Sequence, residues 1–380
     1  MTTMRGMMLA LLAAAFVQSG CGAQGVTTAA ERAKLDGKLT GPAGYKVEYF
    51  IKGVSQVRFM VLGPDGAVYA SQPYQGRVVR LWDVDGDGVA DSVRVVIEGQ
   101  KRPHGLAFHN GWLYIANTDA VVRVKLDARG VAQGTPETLV HLSPGGNHWS
   151  RTVVFGPDNA MYVAAGSTCN LCVEKDSDRA VVLRFDENGG KGKVFGRGLR
   201  NAVGLAFLPG TNSLWASQNE RDNLEPDHKD LPPDELNILR DGGDYGWPYC
   251  YSVKGQAIPN PEYHDAARCA STIPAALDLE GHAAALGMTF LTGATQFPAD
   301  WRGDLLIALH GSWNRDKPTV ARVVRVHVKD GKPVSYEDFL TGFQSADGKR
   351  WGRPVDPLVY KDGSVLISDD ANSAIYRVFK

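Results

Sequence analysis

The chain has 380 residues, 41 of them Lys or Arg and 42 Asp or Glu, for a net charge of −1; 43% are apolar and 22% charged. This excludes a disordered chain, which would be poorer in apolar residues, and argues against a nucleic-acid binder, which would carry a basic excess. The 43 glycines and 20 prolines point to many short strands and turns rather than long helices.

At the N-terminus, Arg5 is the only charge before an apolar run from Met7 to Val17. The run is too short for a membrane-spanning helix, which needs about 20 residues, and has the pattern of a secretory signal. It ends Gln18-Ser19-Gly20-Cys21, which resembles a bacterial lipobox with Gln18 in place of the usual Leu. Residues 1–20 are therefore expected to be removed and Cys21 to carry lipid, with plain secretion as the alternative. Residues 21–44 read as a linker. The expected location is the periplasm or outer surface, with membrane attachment only through the lipid.

Beyond Cys21 the cysteines are Cys169, Cys172, Cys250 and Cys269. An even number in an exported chain suggests disulfides. Sequence proximity favours Cys169–Cys172 and Cys250–Cys269, although four cysteines allow three pairings. Thiol redox chemistry and half of a zinc set remain alternatives for Cys169-Asn170-Leu171-Cys172.

From residue 45 onward one unit recurs: an apolar strand, a tight Gly/Asp turn, a second strand, a loop and a third strand. The first copy has Val57–Leu62, the turn Gly63-Pro64-Asp65-Gly66, Ala67–Ser71 and Gly76–Trp82. Later copies begin at Gly105, Thr152, Val203, Gly287 and Val355. Six units of this size predict six four-stranded antiparallel sheets. Such sheets bury both faces by stacking radially, so residues 45–380 are expected to be an all-β, six-bladed β-propeller; a β-sandwich is the competing arrangement. Tyr45–Ile51 is the expected closing strand of the last blade. The stretch from Tyr249 to Ala285 is expected to be a loop over one face.

Function in such a fold lies in the loops at one end of the channel. Five loops occupy equivalent ends of their repeats. Gly145-Gly146-Asn147-His148-Trp149-Ser150-Arg151 carries a histidine able to exchange protons near neutral pH. Gly198-Leu199-Arg200-Asn201 carries a permanent cation and an amide. The segment from Ser217 to Asp222, with Asp234 and Glu235, is rich in the hard oxygen donors that calcium takes. His310-Gly311-Ser312-Trp313-Asn314-Arg315 and Arg350-Trp351-Gly352-Arg353 complete the set.

The stretches Gly198–Phe207, Asp234–Pro248 and Asn147–Arg151 resemble the soluble glucose/sorbosone dehydrogenases, a family that uses pyrroloquinoline quinone (PQQ) and calcium on a six-bladed propeller. His310–Arg315 and Cys169–Cys172 point to its sorbosone-dehydrogenase-like branch. The resemblance implies oxidation of a sugar, or of a sugar-derived alcohol, hemiacetal or aldehyde, with electrons passed to a separate acceptor, a cytochrome or a quinone. By position His148 matches the general base, and Arg200 the cation beside the reactive quinone carbonyl. Asn201 matches its neighbour on the cofactor, and Gln100 a glutamine near substrate and cofactor. Arg353 and Arg350 match cations that contact the PQQ carboxylates. His310 lies near a cofactor-binding lysine. Glu220 and Arg221 fall where two backbone carbonyls hold calcium. Asn147 departs from the acidic partner that the glucose enzymes place beside the base.

A second calcium candidate is Asp83-Val84-Asp85-Gly86-Asp87-Gly88-Val89-Ala90-Asp91, with acids at loop positions 1, 3, 5 and 9. Position 12 is Arg94 rather than Glu, and a solvated acidic hairpin tip is the alternative. Two rival functions remain: a calcium-dependent, lactonase-like propeller hydrolase, and a non-catalytic surface lipoprotein that binds a sugar or a partner.

Overall fold

The computed structural model describes residue 35 and residues 37–225, 230–315 and 317–380. The expected signal segment and Cys21 lie outside the described residues. The first strand of the fold, β1 (Lys46–Lys52), belongs to the last blade. Blade one holds β2 (Met60–Leu62), β3 (Val68–Gln72), β4 (Arg77–Trp82) and β5 (Ser92–Ile97). Blade two holds β6 (Leu106–His109), β7 (Trp112–Ala116), β8 (Ala120–Leu126) and β9 (Ala132–His141). Blade three holds β10 (Arg151–Phe155), β11 (Met161–Ala165), β12 (Val181–Phe185) and β13 (Lys193–Arg197). Blade four begins with β14 (Ala202–Phe207), β15 (Leu214–Gln218) and β16 (Pro233–Leu239).

After β16 the chain first lays β17 (Gly243–Asp244) parallel to β13 of blade three. It then makes a hairpin of β18 (Cys250–Val253) and β19 (Gln256–Pro259) and a short helix, Ala266–Cys269. Only then does β20 (Leu277–Gly281) complete blade four against β16. The stretch from Tyr249 to Ala285, read as a loop, thus contains a hairpin, a helical turn and the outer strand of a blade. Blade five is β21 (Ala285–Phe290), β22 (Leu305–Leu309), β23 (Arg322–Lys329) and β24 (Lys332–Leu340). Blade six is β25 (Pro354–Val359), β26 (Val365–Asp369) and β27 (Ala374–Phe379), closed by β1 in the register Lys46↔Phe379. The propeller and its closing strand are as expected.

The strand sequences follow from their place in the ring. Second strands are flanked by neighbouring blades on both faces, so five of the six are buried throughout, VYASQ, MYVAA, LWASQ, LLIAL and VLISD, and β7 is buried from Leu113 onward. Outer strands face solvent, and β9 and β24 alternate or expose most of their residues. Between blades four and five Trp215 is fully buried against Phe290, with ring centroids 5.5 Å apart. Trp215→Ala would cost about 3–5 kcal/mol, as expected for an aromatic lost from a close-packed core.

Inner strands converge on the axis, where a side chain is too large. A Cβ on Gly204 would meet the Leu286 carbonyl at 2.3 Å, and one on Gly287 would meet Asp356 Oδ1 at 2.0 Å. Nearby, Phe59, Val203, Leu286 and Val355 form one buried cluster across the channel. Part of the expected linker is also packed down. Leu35 and Leu39 are buried among residues of blades five and six, and Thr40 pairs with Thr341. Among the described residues no helix is long and apolar enough to cross a membrane.

Candidate active site

The loops that enter the inner strands, and those between second and third strands, share one face of the ring. His148 lies just ahead of β10, Arg200 and Asn201 ahead of β14, and His282 and Ala284 ahead of β21. Asn219–Asp222 follow β15 and Gly311–Asn314 follow β22. Residues from these five loops line one cavity of about 140 Å³. The convergence of His148, Arg200, Asn201 and Glu220 is as their repeat positions imply.

The hydrogen bonds of His148 fix its tautomer. Nδ1 lies 3.0 Å from the Ser167 carbonyl oxygen and 2.9 Å from Ser167 Oγ. The carbonyl can only accept, and the Ser167 hydroxyl donates its own hydrogen to the Cys169 carbonyl at 2.7 Å. Nδ1 therefore carries the proton and Nε2 keeps its lone pair. Burial, and then the Arg200 guanidinium, push the imidazole pKa down to about 3. His148 is thus a neutral base near pH 7.

Arg200 is held on every side. Nε donates to the Asn170 carbonyl at 3.0 Å, and one terminal nitrogen donates to the Glu220 carbonyl at 2.6 Å. The other reaches Asn170 Oδ1 at 2.8 Å and Asp222 Oδ2 at 3.2 Å. Asn201 Nδ2 donates to Asn219 Oδ1 at 3.0 Å, while Asn201 Oδ1 is buried without a protein partner.

Beneath them lies a buried acidic layer. Burial raises Glu220 to about 7, against the pull of Arg200, and raises Asp234 to about 6. Asp222 goes the other way: burial opposes its ionisation, but the hydrogen bond from His282 and the charge of Arg200 lower its pKa. The side chain of Arg221 turns away from the cavity to Asn260, at 3.1 Å, and Glu262, at 2.6 Å.

Two of the remaining expected residues, Arg353 and His310, gather with Arg58 around a different carboxylate, Asp370. Arg58 approaches it at 2.6 Å, Arg353 at 3.0 Å and His310 at 3.1 Å. Burial would raise the Asp370 pKa, yet the His310 hydrogen bond and the two guanidiniums hold it below the usual range. Arg350 donates to the Ser312 carbonyl at 2.6 Å, which ties it to the rim formed by Gly311–Asn314. Gln100 accepts from Asn117 at 3.0 Å and lines a separate groove with Tyr74 and Arg102 rather than the His148 cavity. Arg102 in turn covers Trp149, 4.7 Å from its ring centre.

Both favoured cysteine pairings are present as disulfides, Cys169–Cys172 and Cys250–Cys269. The acidic loop lies between β4 and β5, on the other face of the ring from His148. Carboxylate oxygens of Asp83, Asp85 and Asp91 lie within 4.8 Å of one another, and Asp87 stands outside that group. Asp83 already accepts from the Gly86 and Gly88 amides and from the Tyr360 hydroxyl.

Sequence reasoning missed Ser167, Asn170, His282, Arg58 and Asp370. Asn170 sat in plain view between two cysteines, but its two carbonyl oxygens and its amide nitrogen find partners from distant loops.

The sequence matches the family model described as TrAA12-like over residues 39–378. The chain belongs to the TrAA12-like family. Among its relatives is an uncharacterized protein of Borreliella burgdorferi, 28% identical over 370 residues and covering 93% of each chain. A pyrroloquinoline quinone-dependent pyranose dehydrogenase of Coprinopsis cinerea is 27% identical over 399 residues. That match covers 88% of this chain but 54% of the relative, so this chain spans about half the length of the fungal protein. A solved Trichoderma reesei structure of carbohydrate-active enzyme family AA12 superposes with a TM-score of 0.80 at 21% identity, covering 90% of this chain and 97% of that one. The PQQ domain of the Coprinopsis cinerea pyranose dehydrogenase gives 0.78 at 24%, covering 90% and 97%. These two superpositions establish that the TrAA12-like chain shares their propeller fold.

Proposed function

We propose that this chain is a PQQ- and calcium-dependent oxidoreductase. Its substrate is a sugar, or a sugar-derived alcohol, hemiacetal or aldehyde, and its electrons pass to a separate carrier. The observation that carries this reading is the pairing in one cavity of His148, whose Nε2 is an unprotonated base, with a fully anchored Arg200. The names of the relatives supply the class of cofactor and substrate.

The residues present suit PQQ. The two guanidiniums of Arg58 and Arg353 share the single carboxylate Asp370, which leaves a surplus of positive charge for an acidic ligand. Asn201 Oδ1 and Arg353 Nε are buried without protein partners. Asn201, His310, Arg350 and Arg353 would hold the group, with Gln100 further out and Arg200 beside it as a fixed charge. For calcium, Glu220, Asp222 and Asp234 are among the residues that line the cavity and offer hard oxygen donors, although Glu220 and Asp234 already accept from protein N–H groups. The Glu220 carbonyl is engaged by Arg200, so it is the acidic layer that favours a cation there.

Bound PQQ supplies a quinone carbon able to accept hydride. The protein does the rest. His148 Nε2 takes the proton of the substrate hydroxyl, and Ser167 keeps the ring in the tautomer that can do so. Arg200 presents a fixed positive charge where negative charge grows, with no reorganisation needed during the reaction. Export belongs to the same proposal and is supported by the two disulfides, which persist in oxidising compartments, while lipid attachment at Cys21 rests on the Ser19-Gly20-Cys21 pattern alone.

Reconstitution tests the reading. Apo-protein with PQQ and calcium should reduce an artificial dye in the presence of aldoses. No dye reduction across a panel of sugars and sugar aldehydes, with PQQ shown to be bound, would leave the hydrolase and binding-protein readings standing instead.

A further inference from the structure

The bridge Cys169–Cys172 closes a small ring with Asn170 and Leu171 between the sulfurs. This ring and the residues before it touch both groups assigned to the chemistry. Ser167 accepts from His148, its amide donates to the Arg200 carbonyl at 2.7 Å, and its hydroxyl donates to the Cys169 carbonyl at 2.7 Å. Asn170 accepts from Arg200 through its backbone carbonyl and through Oδ1. The same side chain pairs with the backbone of Asp222: Oδ1 accepts from the Asp222 amide at 2.8 Å, and Nδ2 donates to the Asp222 carbonyl at 2.9 Å. Asp222 is the carboxylate that meets Arg200. The Asn170 carbonyl also receives the Trp247 indole N–H at 3.2 Å, from the insertion of blade four.

We infer that Asn170, presented by the Cys169–Cys172 ring, is the positioning residue that aims Arg200, and that the same ring holds His148 in its reactive tautomer through Ser167. The inference rests on the oxidoreductase reading for its catalytic meaning but on the geometry alone for its structural content. A guanidinium is planar and directional, so its orientation is set by where its acceptors lie. Asn170 supplies two of those acceptors and fixes the backbone of a third, Asp222. A short loop free to choose its conformation could not hold three such bonds without losing entropy, and a covalent ring removes much of that freedom in advance. The other disulfide, Cys250–Cys269, lies against the Tyr249 carbonyl and, among the described residues, makes no hydrogen bond to Arg200 or His148, so it serves as a control.

The experiment compares apo-protein carrying Asn170→Ala, Cys169→Ser/Cys172→Ser or Cys250→Ser/Cys269→Ser with the unaltered chain. The first readouts need no cofactor: solvent exchange of the Arg200 Nη2 protons, the ones that Asn170 Oδ1 accepts, and the ¹⁵N shift of His148 Nδ1 by selective labelling. Asn170→Ala and Cys169→Ser/Cys172→Ser should speed Arg200 exchange by about tenfold or more, as a bond moves from protected to locally open. The Cys169→Ser/Cys172→Ser form should also shift His148 Nδ1, and Cys250→Ser/Cys269→Ser should change neither signal. With PQQ and calcium, kcat should fall by about 10²-fold, the scale for a small misplacement of a reacting group, with KM nearly unchanged. Wild-type exchange in Asn170→Ala, or equal acceleration in Cys250→Ser/Cys269→Ser, would overturn the inference. If the double serine form fails to fold, Asn170→Ala decides alone. If the apo signals move as expected while the unaltered holo-protein oxidises no sugar, the positioning role stands and the oxidoreductase reading falls.

Discussion

Asp222 meets Arg200 at 3.2 Å while its other carboxylate oxygen accepts from Asn314 at 2.9 Å. Blades four and five are thereby joined at the mouth of the cavity through a single side chain. His148, the proposed base, comes from the loop that enters blade three. The site depends on the correct angular spacing of three neighbouring blades, and alterations in any of them should register in turnover.

His148→Ala should leave the fold and PQQ binding intact and lower turnover by roughly 10²–10⁴-fold, the usual contribution of a general base. Because burial and Arg200 hold the His148 pKa at about 3, the base stays unprotonated as pH falls from about 7 to about 5. The rate should therefore not drop in that interval through a group of pKa near 6.5. A pH–rate profile of PQQ-saturated protein checks both statements.

Arg200→Ala and Arg353→Ala should separate. Arg200 shares its cavity with His148, and in the proposed reaction it stands where charge develops, so its loss should lower the rate of quinone reduction by about 10²–10³-fold. Arg353, in the proposed function, would hold a PQQ carboxylate whose charge is present before and after reaction, so its loss should chiefly weaken PQQ affinity. Single-turnover reduction and PQQ titration distinguish the two. Equal reduction rates at saturation in both variants would remove Arg200 from its role.

Calcium removal by a chelator should abolish PQQ-dependent dye reduction, and re-addition should restore it. The buried acids Glu220 and Asp234 are raised to about 7 and about 6 by burial, so a divalent cation beside them would favour their ionised forms. Isothermal titration at about pH 6 should show protons released on calcium binding, because these groups are then partly protonated.

Asp356 should make the fold lose stability as pH rises. Burial raises its pKa to about 8, against an unfolded value near 3.9. The folded state thus binds a proton that the unfolded state lacks between about pH 4 and about pH 8, and stability declines across that window. Asp356→Asn keeps an acceptor for the Met60 amide, which now donates to Oδ2 at 2.8 Å, and removes the titration. Denaturant unfolding at about pH 5 and about pH 8 should show a smaller difference for the variant than for the unaltered chain. An unchanged difference would show that Asp356 is ionised in the fold.

Thiol counting under denaturing, non-reducing conditions should find Cys169, Cys172, Cys250 and Cys269 all unreactive, as their pairing requires. The only cysteine left to react is Cys21, and it should be silent as well if it carries lipid.

The repeating turns and buried second strands made the propeller legible, because neighbours on both faces force runs such as LLIAL to be apolar throughout. The closing strand was legible because Tyr45–Ile51 stands ahead of the first repeat, and β1 indeed pairs with β27 of the last blade. Blade four was misread where β16 and β20 are separated by a hairpin and a helical turn, since sequence adjacency no longer reports pairing. At the site, His148, Arg200 and Asn201 were found because each directly precedes an inner strand. Asn170, Ser167 and Asp370 were not, because what they do depends on the direction of hydrogen bonds between loops far apart in the chain. Gln100 shows the limit of a position match: a neighbouring groove, not the His148 cavity, is where its side chain lies.

The pairing of β1 with β27 has a consequence for how the molecule is made. β1 emerges from the ribosome before any blade, and its partner emerges after all of them. The earlier blades can assemble in order, each against the one before it, while β1 waits without a neighbour. Its exposed edge is a hazard during that interval, since an unpaired strand is a template for wrong pairing. Ring closure is the contact of greatest sequence separation in the fold, so its loop-closure entropy is met last and the final step should be the slow one. A nascent chain stalled short of Ala374 would be an open ring, with the strand meant to seal it still seeking a partner.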